Sequence, residues 1–311
     1  RILDLKDGEK TLTVAVWYPT RAEPKEYKYG GGSLAGKVAP DAEPDGGPFP
    51  LFVFSHGYGG SGISSVFFTE ALAARRWIVA APDHEDRDKA ARIRTGPQPI
   101  DGMAYLKRAR ELAASGRDFD RKAHAYRLDD MKLVLDRMLD SETFGKIIDA
   151  KRIAVGGHSL GGFTSLGACG AIEGRRDDRI KAVLLFSPGV FMYDEKEFAA
   201  VRVPSMYMLG EKERGEPRAG GTKADLADLA FRTFPAPKYF LEVKGGNHFS
   251  FNHNLSDRAW ARSFGGTREQ HEVIRKYAVA FLERHVAGRE SEAAVLEKQD
   301  PMLSVYRREG Q

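Results

Sequence analysis

The chain has 311 residues, of which 42% are hydrophobic and 30% charged, and these proportions predict a soluble globular protein. Its 48 basic and 44 acidic residues leave a net charge of +4 with both signs interspersed, which argues against a nucleic-acid partner. No apolar run approaches the roughly 20 residues of a membrane span, and the one cysteine excludes an internal disulfide and a multi-cysteine metal site.

The first predicted elements are two strands near the start of the chain. Alternating apolar residues predict a strand over Thr11–Pro19, paired with Arg1–Leu5 across a turn. The stretch Gly30–Pro50, rich in glycine, proline and aspartate, is predicted to be a surface loop. Arg1 in place of methionine indicates that upstream residues were removed, either a signal peptide, which would mean export, or an expression leader. The sequence favours neither.

Six short apolar segments follow, and most are separated by segments of helical periodicity. This alternation predicts an α/β fold with a doubly wound, mostly parallel sheet flanked by helices, in a single domain over residues 1–311. The six predicted strands are Leu51–Ser55, Trp77–Ala81, Ile153–Gly156, Ile180–Phe186, Ser205–Leu209 and Tyr239–Val243.

A charged insertion at about residues 86–125 interrupts this alternation, with a predicted helix over Met103–Ser115. The insertion is either a lid or a solvated flank, and its charge favours the flank. Further helices are predicted over Tyr126–Leu139 and Glu269–His285, followed by a charged tail from about residue 287. Cys169 lies in a run of small residues and is predicted to be plain core.

The segment Gly157-His158-Ser159-Leu160-Gly161 lies between an apolar strand and a helix of small residues. A G-x-S-x-G sequence in this setting is typical of the nucleophile elbow of α/β-hydrolases, in which the serine occupies a sharp, strained turn. Side chains at Gly157 and Gly161 would collide with the neighbouring strand and helix. Ser159 is therefore the predicted nucleophile, the alternative being a glycine-rich turn without a catalytic role.

An oxyanion hole is predicted from the apolar strand that ends in His56-Gly57-Tyr58-Gly59-Gly60. In this fold one N–H comes from the residue after the nucleophile and one from the loop after the third strand. Leu160 and Tyr58 fit these two places, and we expect the tyrosine ring to line the acyl pocket. The alternative is an ordinary turn.

The base and the acid must follow the serine in chain order as acid, then histidine. His248, in a glycine-rich loop after a predicted strand, is the predicted base, with His253 as the alternative; His271 lies within the closing helix, the wrong setting for a base. For the acid, Glu213 is the first choice and Glu211 the second, because both follow the strand that ends at Gly210. The alternative is a plain charged loop.

A family resemblance rests on five segments: VWYP (16–19), FSHGYGG (54–60), WIVAAPDHEDRD (77–88), GGHSLGG (156–162) and GGNHFSF (245–251). Over most of its length the chain resembles plasma-type platelet-activating-factor acetylhydrolases and, more distantly, dienelactone hydrolases and cutinase-like polyesterases. Dienelactone hydrolases use a cysteine where this chain has Ser159.

The resemblance bears on the acid. The acetylhydrolase pattern would put it directly after Ile180–Phe186, where this chain has Ser187-Pro188. The cutinase-like pattern puts it after the next strand as G-x-x-D, which matches Gly210–Glu213. The resemblance therefore implies Glu213, with glutamate in place of the usual aspartate.

Together these features predict a serine hydrolase of short-chain or phospholipid-like esters, working through an acyl-enzyme without a cofactor or metal. The alternatives are a lipase or cutinase-like polyesterase, an amidase or peptidase with the same triad, and a catalytically silent binding protein of the same fold. The predicted partner is a small-molecule or lipid ester. The oligomeric state and the compartment stay open.

Overall fold

The computed structural model describes residues 1–253 and 265–310. In this part of the chain the strands are β1 (Ile2–Asp7), β2 (Lys10–Trp17), β3 (Lys25–Tyr29), β4 (Leu34–Val38), β5 (Phe49–Ser55), β6 (Ile78–Pro82), β7 (Ala91–Arg92), β8 (Gly96–Pro97), β9 (Ile148–His158), β10 (Ile180–Phe186), β11 (Ser205–Gly210), β12 (Pro217–Arg218), β13 (Gly221–Thr222), β14 (Lys238–Val243) and β15 (Leu303–Glu309). The α-helices are α1 (Val66–Ala74), α2 (Gly102–Ala114), α3 (Tyr126–Leu139), α4 (Leu160–Leu166), α5 (Glu195–Ala199), α6 (Lys223–Thr233), α7 (Arg268–His285) and α8 (Ala293–Leu296).

The central sheet has the order β1-β2-β6-β5-β9-β10-β11-β14-β15 within the described residues. From β6 to β14 the neighbouring strands are parallel, whereas β1, β2 and β15 join antiparallel. Strands buried on both faces read as nearly continuous apolar runs, as in β5, where every residue is buried. The predicted doubly wound, mostly parallel α/β sheet is confirmed.

Helices cover both faces of the sheet and close two hydrophobic cores. One core packs α3, α4, α5 and α6 against the sheet and contains the buried Cys169, whose thiol pKa is raised by burial. The other packs α1, α7 and α8 against the opposite face. Each strand that leads into the candidate site therefore has its position fixed from two sides.

Two segments differ from the sequence prediction. The predicted loop Gly30–Pro50 contains β4, which pairs with β3, and its last two residues already belong to β5. The predicted charged tail contains β15, which pairs antiparallel with β14. In both strands apolar residues are mixed with charged or small ones, as expected at a sheet edge where one side meets solvent. Charge and glycine content therefore masked the strand pattern.

The insertion is folded, with the small β7–β8 hairpin followed by α2. The side chain of Asp101 caps α2 by accepting hydrogen bonds from the N–H groups of Met103 and Ala104, both at 3.1 Å. Throughout the described residues, no helix is long and apolar enough to cross a membrane.

Candidate active site

Ser159 lies at the turn between β9 and α4, in a backbone conformation that is rare for a residue with a side chain. Its φ is +55° and its ψ is −117°, and such strain persists only where the surroundings impose it. The Ser159 N–H donates to the Phe186 carbonyl at 3.0 Å, which ties the turn to β10. A Cβ at Gly157 would lie 2.4 Å from the Gly161 carbonyl, and one at Gly161 would lie 1.9 Å from the Ser55 carbonyl oxygen, so both positions require glycine.

His248 lies in the short 3₁₀ turn that follows β14. Its Nε2 is 3.0 Å from Ser159 Oγ, and 27% of its side chain is exposed. The ring of His158 lies against it at 4.7 Å between centroids, and His158 Nε2 donates to the His248 carbonyl at 2.8 Å. Burial above all lowers the pKa of His158 to about 3, so a neutral ring supports the His248 turn. The arrangement allows proton transfer from the serine hydroxyl to the imidazole.

Of the two glutamates predicted as candidates for the acid, Glu213 is the one that reaches His248. Glu213 Oε2 is 3.0 Å from His248 Nδ1, whereas Glu211 Oε2 accepts from the Gly245 N–H at 2.7 Å. Burial opposes ionisation of Glu213, but the His248 hydrogen bond and the Lys223 charge outweigh it and hold the pKa of this carboxyl well below its usual range. Glu213 is therefore an ionised group able to orient and stabilise the imidazolium.

Two residues beside Glu213 have no counterpart among the sequence-predicted site residues. Ser187, directly after β10, has a φ of +40°; its Oγ donates to Glu213 Oε2 at 2.6 Å and lies 2.7 Å from His248 Nδ1. Lys223, the first residue of α6, forms a buried ion pair with Glu213 Oε2. The only sequence signal for Ser187 is its place where the acetylhydrolase pattern has the acid, and Lys223 has no local signal.

The loop after β5, residues His56–Gly60, lies against the elbow. A Cβ at Gly57 would be 3.3 Å from Ser159 Cβ. Within the residues that the structure describes, the N–H groups of Tyr58 and Leu160 donate no hydrogen bond; Leu160 opens α4, where first-turn N–H groups lack intrahelical acceptors. Two available donors beside a serine can stabilise negative charge on a bound carbonyl oxygen.

A buried ion pair holds the His56–Gly60 loop from behind. The Arg127 guanidinium donates to the carbonyl oxygens of the first two loop residues at 2.8 and 3.3 Å. Asp86 accepts from Arg127 at 2.7 Å and from the Gly59 N–H at 2.8 Å. Burial opposes ionisation of Asp86, but the charge of Arg127 outweighs it and keeps the pKa of Asp86 well below its usual range. The loop backbone is thus fixed at carbonyls on one side and at an N–H on the other.

The insertion contacts this loop through Tyr58. The Tyr58 hydroxyl donates to Asp88 at 2.6 Å, and Asp88 is also paired with Arg108 of α2. The ring of Tyr105, also in α2, stacks on Tyr58 with 5.8 Å between centroids, and its hydroxyl donates to the Tyr58 carbonyl at 3.2 Å. This part of the insertion therefore packs beside the site and is not merely a solvated flank.

A second serine–histidine–aspartate array is enclosed in the core. Ser55 Oγ is 2.8 Å from His84 Nε2, and His84 Nδ1 is 2.8 Å from Asp130, which also pairs with Lys10. All three members are buried. Because all three side chains are buried, the array connects the end of β5, the segment after β6 and α3, and Ser55 is not a candidate nucleophile.

The remaining sequence candidates lie away from Ser159. The His253 N–H donates to the Ser64 carbonyl at 2.6 Å, and the ring of His271 stacks on Phe67 at 3.8 Å between centroids. Among the side chains that the structure describes, no group of three or more histidine, cysteine, aspartate and glutamate residues could hold a metal ion.

The chain matches one known family and is similar to two known proteins. The sequence profile described as the alpha/beta hydrolase family matches residues 52–310. A platelet-activating factor acetylhydrolase from Cavia porcellus is 25% identical over 274 residues, which cover 78% of this chain and 58% of that protein. Lipase 1 from Moraxella sp. (strain TA144) is 26% identical over 127 residues, covering 41% of this chain and 35% of the lipase. The aligned part thus spans less than two thirds of each relative.

Among solved structures, a ferulic acid esterase from Streptomyces cinnamoneus is similar with a TM-score of 0.68. The two sequences are 23% identical, and the superposition covers 96% of this chain and 86% of the esterase. At this identity the similarity establishes a shared fold.

Proposed function

Because the chain belongs to the α/β-hydrolase family, we propose that it is a serine hydrolase of carboxylic esters that works through an acyl-enzyme. The observation that carries the proposal is the line of hydrogen bonds from Ser159 Oγ through His248 to Glu213, 3.0 Å long at each step. The three side chains follow three different strands and occur in the chain order serine, acid, histidine that is expected for this family.

In the proposed reaction His248 removes the hydroxyl proton as Ser159 attacks the ester carbonyl. The oxyanion that forms is held by the N–H groups of Tyr58 and Leu160. His248 then gives its proton to the leaving alcohol. In the second half of the reaction, His248 removes a proton from water as the water attacks the acyl-enzyme, and it returns the proton to Ser159 as the acid is released. Glu213 keeps the imidazole in the required tautomer and stabilises its charged form. The protein groups carry out every step without a cofactor.

We propose short-chain or phospholipid-like esters as substrates, since two relatives are named for ester-acting enzymes, an acetylhydrolase and a lipase. An amidase or peptidase with the same triad is the rival. Comparing p-nitrophenyl butyrate with the matching anilide separates the two, because an esterase loses nearly all turnover when the alcohol becomes an amine.

The nucleophile is tested by Ser159→Ala. We expect this change to reduce hydrolysis of p-nitrophenyl acetate and butyrate by roughly 10⁶-fold and to abolish fluorophosphonate labelling. The matched control is Ser55→Ala, which removes the serine of the enclosed array and should still label. Labelling that persists in the Ser159→Ala protein would overturn the assignment, and a wild-type protein that neither labels nor turns over would support a silent binding protein.

One observation favours lipase or polyesterase activity as a second candidate. The large apolar side chains that the structure describes as exposed are Ile100, Met103 and Leu106. They lie in α2 or just before it, and Tyr105 of the same helix stacks on Tyr58. Exposed apolar side chains on a helix that borders the candidate site suit contact with an insoluble ester surface. For this candidate, the double variant Met103→Ser/Leu106→Ser should lose activity on emulsified or polymeric esters but keep activity on soluble p-nitrophenyl butyrate; equal losses on both would count against it.

A further inference from the structure

Lys223 occupies a position that is unfavourable for a lysine. It is 5% exposed, so burial removes most of the water that would solvate its charge. It is also the first residue of α6, and the N-terminus of a helix disfavours a cation. A lysine in this place therefore requires nearby negative charge, and the structure provides two carboxylates.

The contacts of Lys223 all lie at the acid end of the triad. Its Nζ pairs with Glu213 Oε2 and lies 3.3 Å from Glu216 Oε2. The same atom is 3.5 Å from Ser187 Oγ and 3.3 Å from His248 Nδ1. One oxygen of Glu213 thus faces both the imidazole and the ammonium group, so Lys223 lies next to His248 and shares the carboxylate with it.

We propose that Lys223 is a positioning residue that fixes the Glu213 carboxylate and keeps His248 in its neutral, proton-accepting form. The proposal rests on the proposed ester hydrolysis. An ammonium group 3.3 Å from Nδ1 repels a second positive charge on the ring, so protonation of His248 requires a more acidic solution. The ion pair also fixes the carboxylate to which the imidazole must be aligned.

The groups that face His248 come from several elements. Glu213 and Glu216 follow β11, Lys223 opens α6, Ser187 follows β10 and His158 ends β9. The pKa of His248 lies below its ordinary value; burial is the largest cause, the charge of Lys223 is the second, and Glu213 acts in the opposite direction. Removal of the lysine charge should therefore raise the proton affinity of the base.

The test compares Lys223→Met and Lys223→Arg by the pH dependence of kcat/KM for p-nitrophenyl butyrate. We expect the acidic limb of the Met variant to move to higher pH by about one unit, while the Arg variant stays close to wild type. Lys238→Met is the matched control, because Lys238 is equally buried, at 4% exposure, and its Nζ is paired with Glu309 instead; its profile should match wild type.

The outcomes separate this inference from the proposed function. A wild-type protein that neither turns over esters nor labels with fluorophosphonate would contradict the function itself. With an active wild type, an unchanged acidic limb in a folded Lys223→Met protein would overturn the role of Lys223, and so would equal shifts in the Met and Arg variants. If both variants fail to fold, Lys223→Gln takes their place, because glutamine keeps a hydrogen-bond donor beside Glu213 without the charge; an unshifted acidic limb in this variant would overturn the role of Lys223.

Discussion

Arg127 and Asp86 form an ion pair inside the protein, and between them they bond to both sides of the loop that carries Tyr58. Neither side chain has appreciable exposure. The pair therefore fixes the direction of a backbone N–H without touching a substrate.

This relationship predicts the effect of breaking the pair. Asp86→Asn leaves the Arg127 charge buried without its partner and should reduce the free energy of unfolding by about 3–5 kcal/mol. The double variant Asp86→Leu/Arg127→Met removes both charges and should be less destabilised, although kcat should still fall by roughly 10²-fold because the loop loses its anchors. Urea unfolding and ester turnover measure the two effects; an Asp86→Asn protein as stable as wild type would contradict the prediction.

Glu213 and Glu211 provide a matched pair of variants that tests the identity of the acid. Glu213→Gln removes the charge beside His248 and should reduce kcat by roughly 10³- to 10⁴-fold. Glu211→Gln changes the same group two residues earlier but affects only the hydrogen bond to the Gly245 N–H, so its loss should be small. Steady-state kinetics on p-nitrophenyl butyrate compare the two variants, and the reverse ranking would move the acid to Glu211.

Ser187 offers a second place for the acid. Its Oγ is 2.7 Å from His248 Nδ1, so a carboxylate at this position reaches the same atom from β10. We expect the double variant Ser187→Asp/Glu213→Gln to be at least roughly tenfold more active than Glu213→Gln alone. Aspartate suits this position because it tolerates a positive φ better than most residues. Ser187→Asn in the Glu213→Gln protein introduces a side chain with the shape of aspartate but without its charge, and it should not restore activity. Equal recovery in both double variants would show that charge is not responsible.

The stability of the fold should depend on pH through its buried histidines. Burial lowers the pKa of each of them, so below pH 6.5 the unfolded chain binds more protons than the folded protein and stability falls as the pH falls. Each group contributes up to about 1.4 kcal/mol per pH unit. The groups are the buried His56, His84, His158 and His271, together with the half-buried His285.

Urea unfolding at pH 7 and pH 5 checks this expectation. We expect the free energy of unfolding to be lower at pH 5. His285, whose pKa is lowered to about 4, accepts or donates a hydrogen bond with the Tyr239 hydroxyl at 3.0 Å. His285→Gln can keep this contact without titrating, so it should reduce the difference between the two pH values. A difference that is absent in wild type would refute the assignment of neutral buried imidazoles.

Local sequence patterns could place those candidate residues that lie in compact motifs. Ser159 lies in a five-residue motif between a strand and a helix, and His248 lies in a short loop after a strand. Both positions can therefore be recognised from a short stretch of sequence. From the sequence Glu213 is the first choice and Glu211 the second, but the two are separated by less than one helical turn, and only the direction of each side chain distinguishes them. That direction is set by the contact of Glu211 with Gly245.

Contacts between segments that are distant in the chain could not be predicted from the sequence. Lys223 reaches Glu213 only because the β12–β13 hairpin folds the chain back, so that the N-terminus of α6 points at the end of β11. In the sequence, Arg127 likewise looks like an ordinary polar residue of an amphipathic helix. Its contact with the His56–Gly60 loop arises only because α3 packs against that loop. In both cases segments that are distant in the sequence bury the charge, and such burial produces no periodic pattern from which it could be predicted.

The pairing of β15 with β14 has a practical consequence for anyone who shortens this protein. Removal of residues 303–309 would uncover a row of backbone donors and acceptors along Lys238–Val243, a segment whose residues are all buried. An uncovered apolar edge of this kind is a template for another copy of the same chain. A version trimmed at the end of α7 would therefore precipitate or form intermolecular sheets, even though every residue of the candidate site is still present.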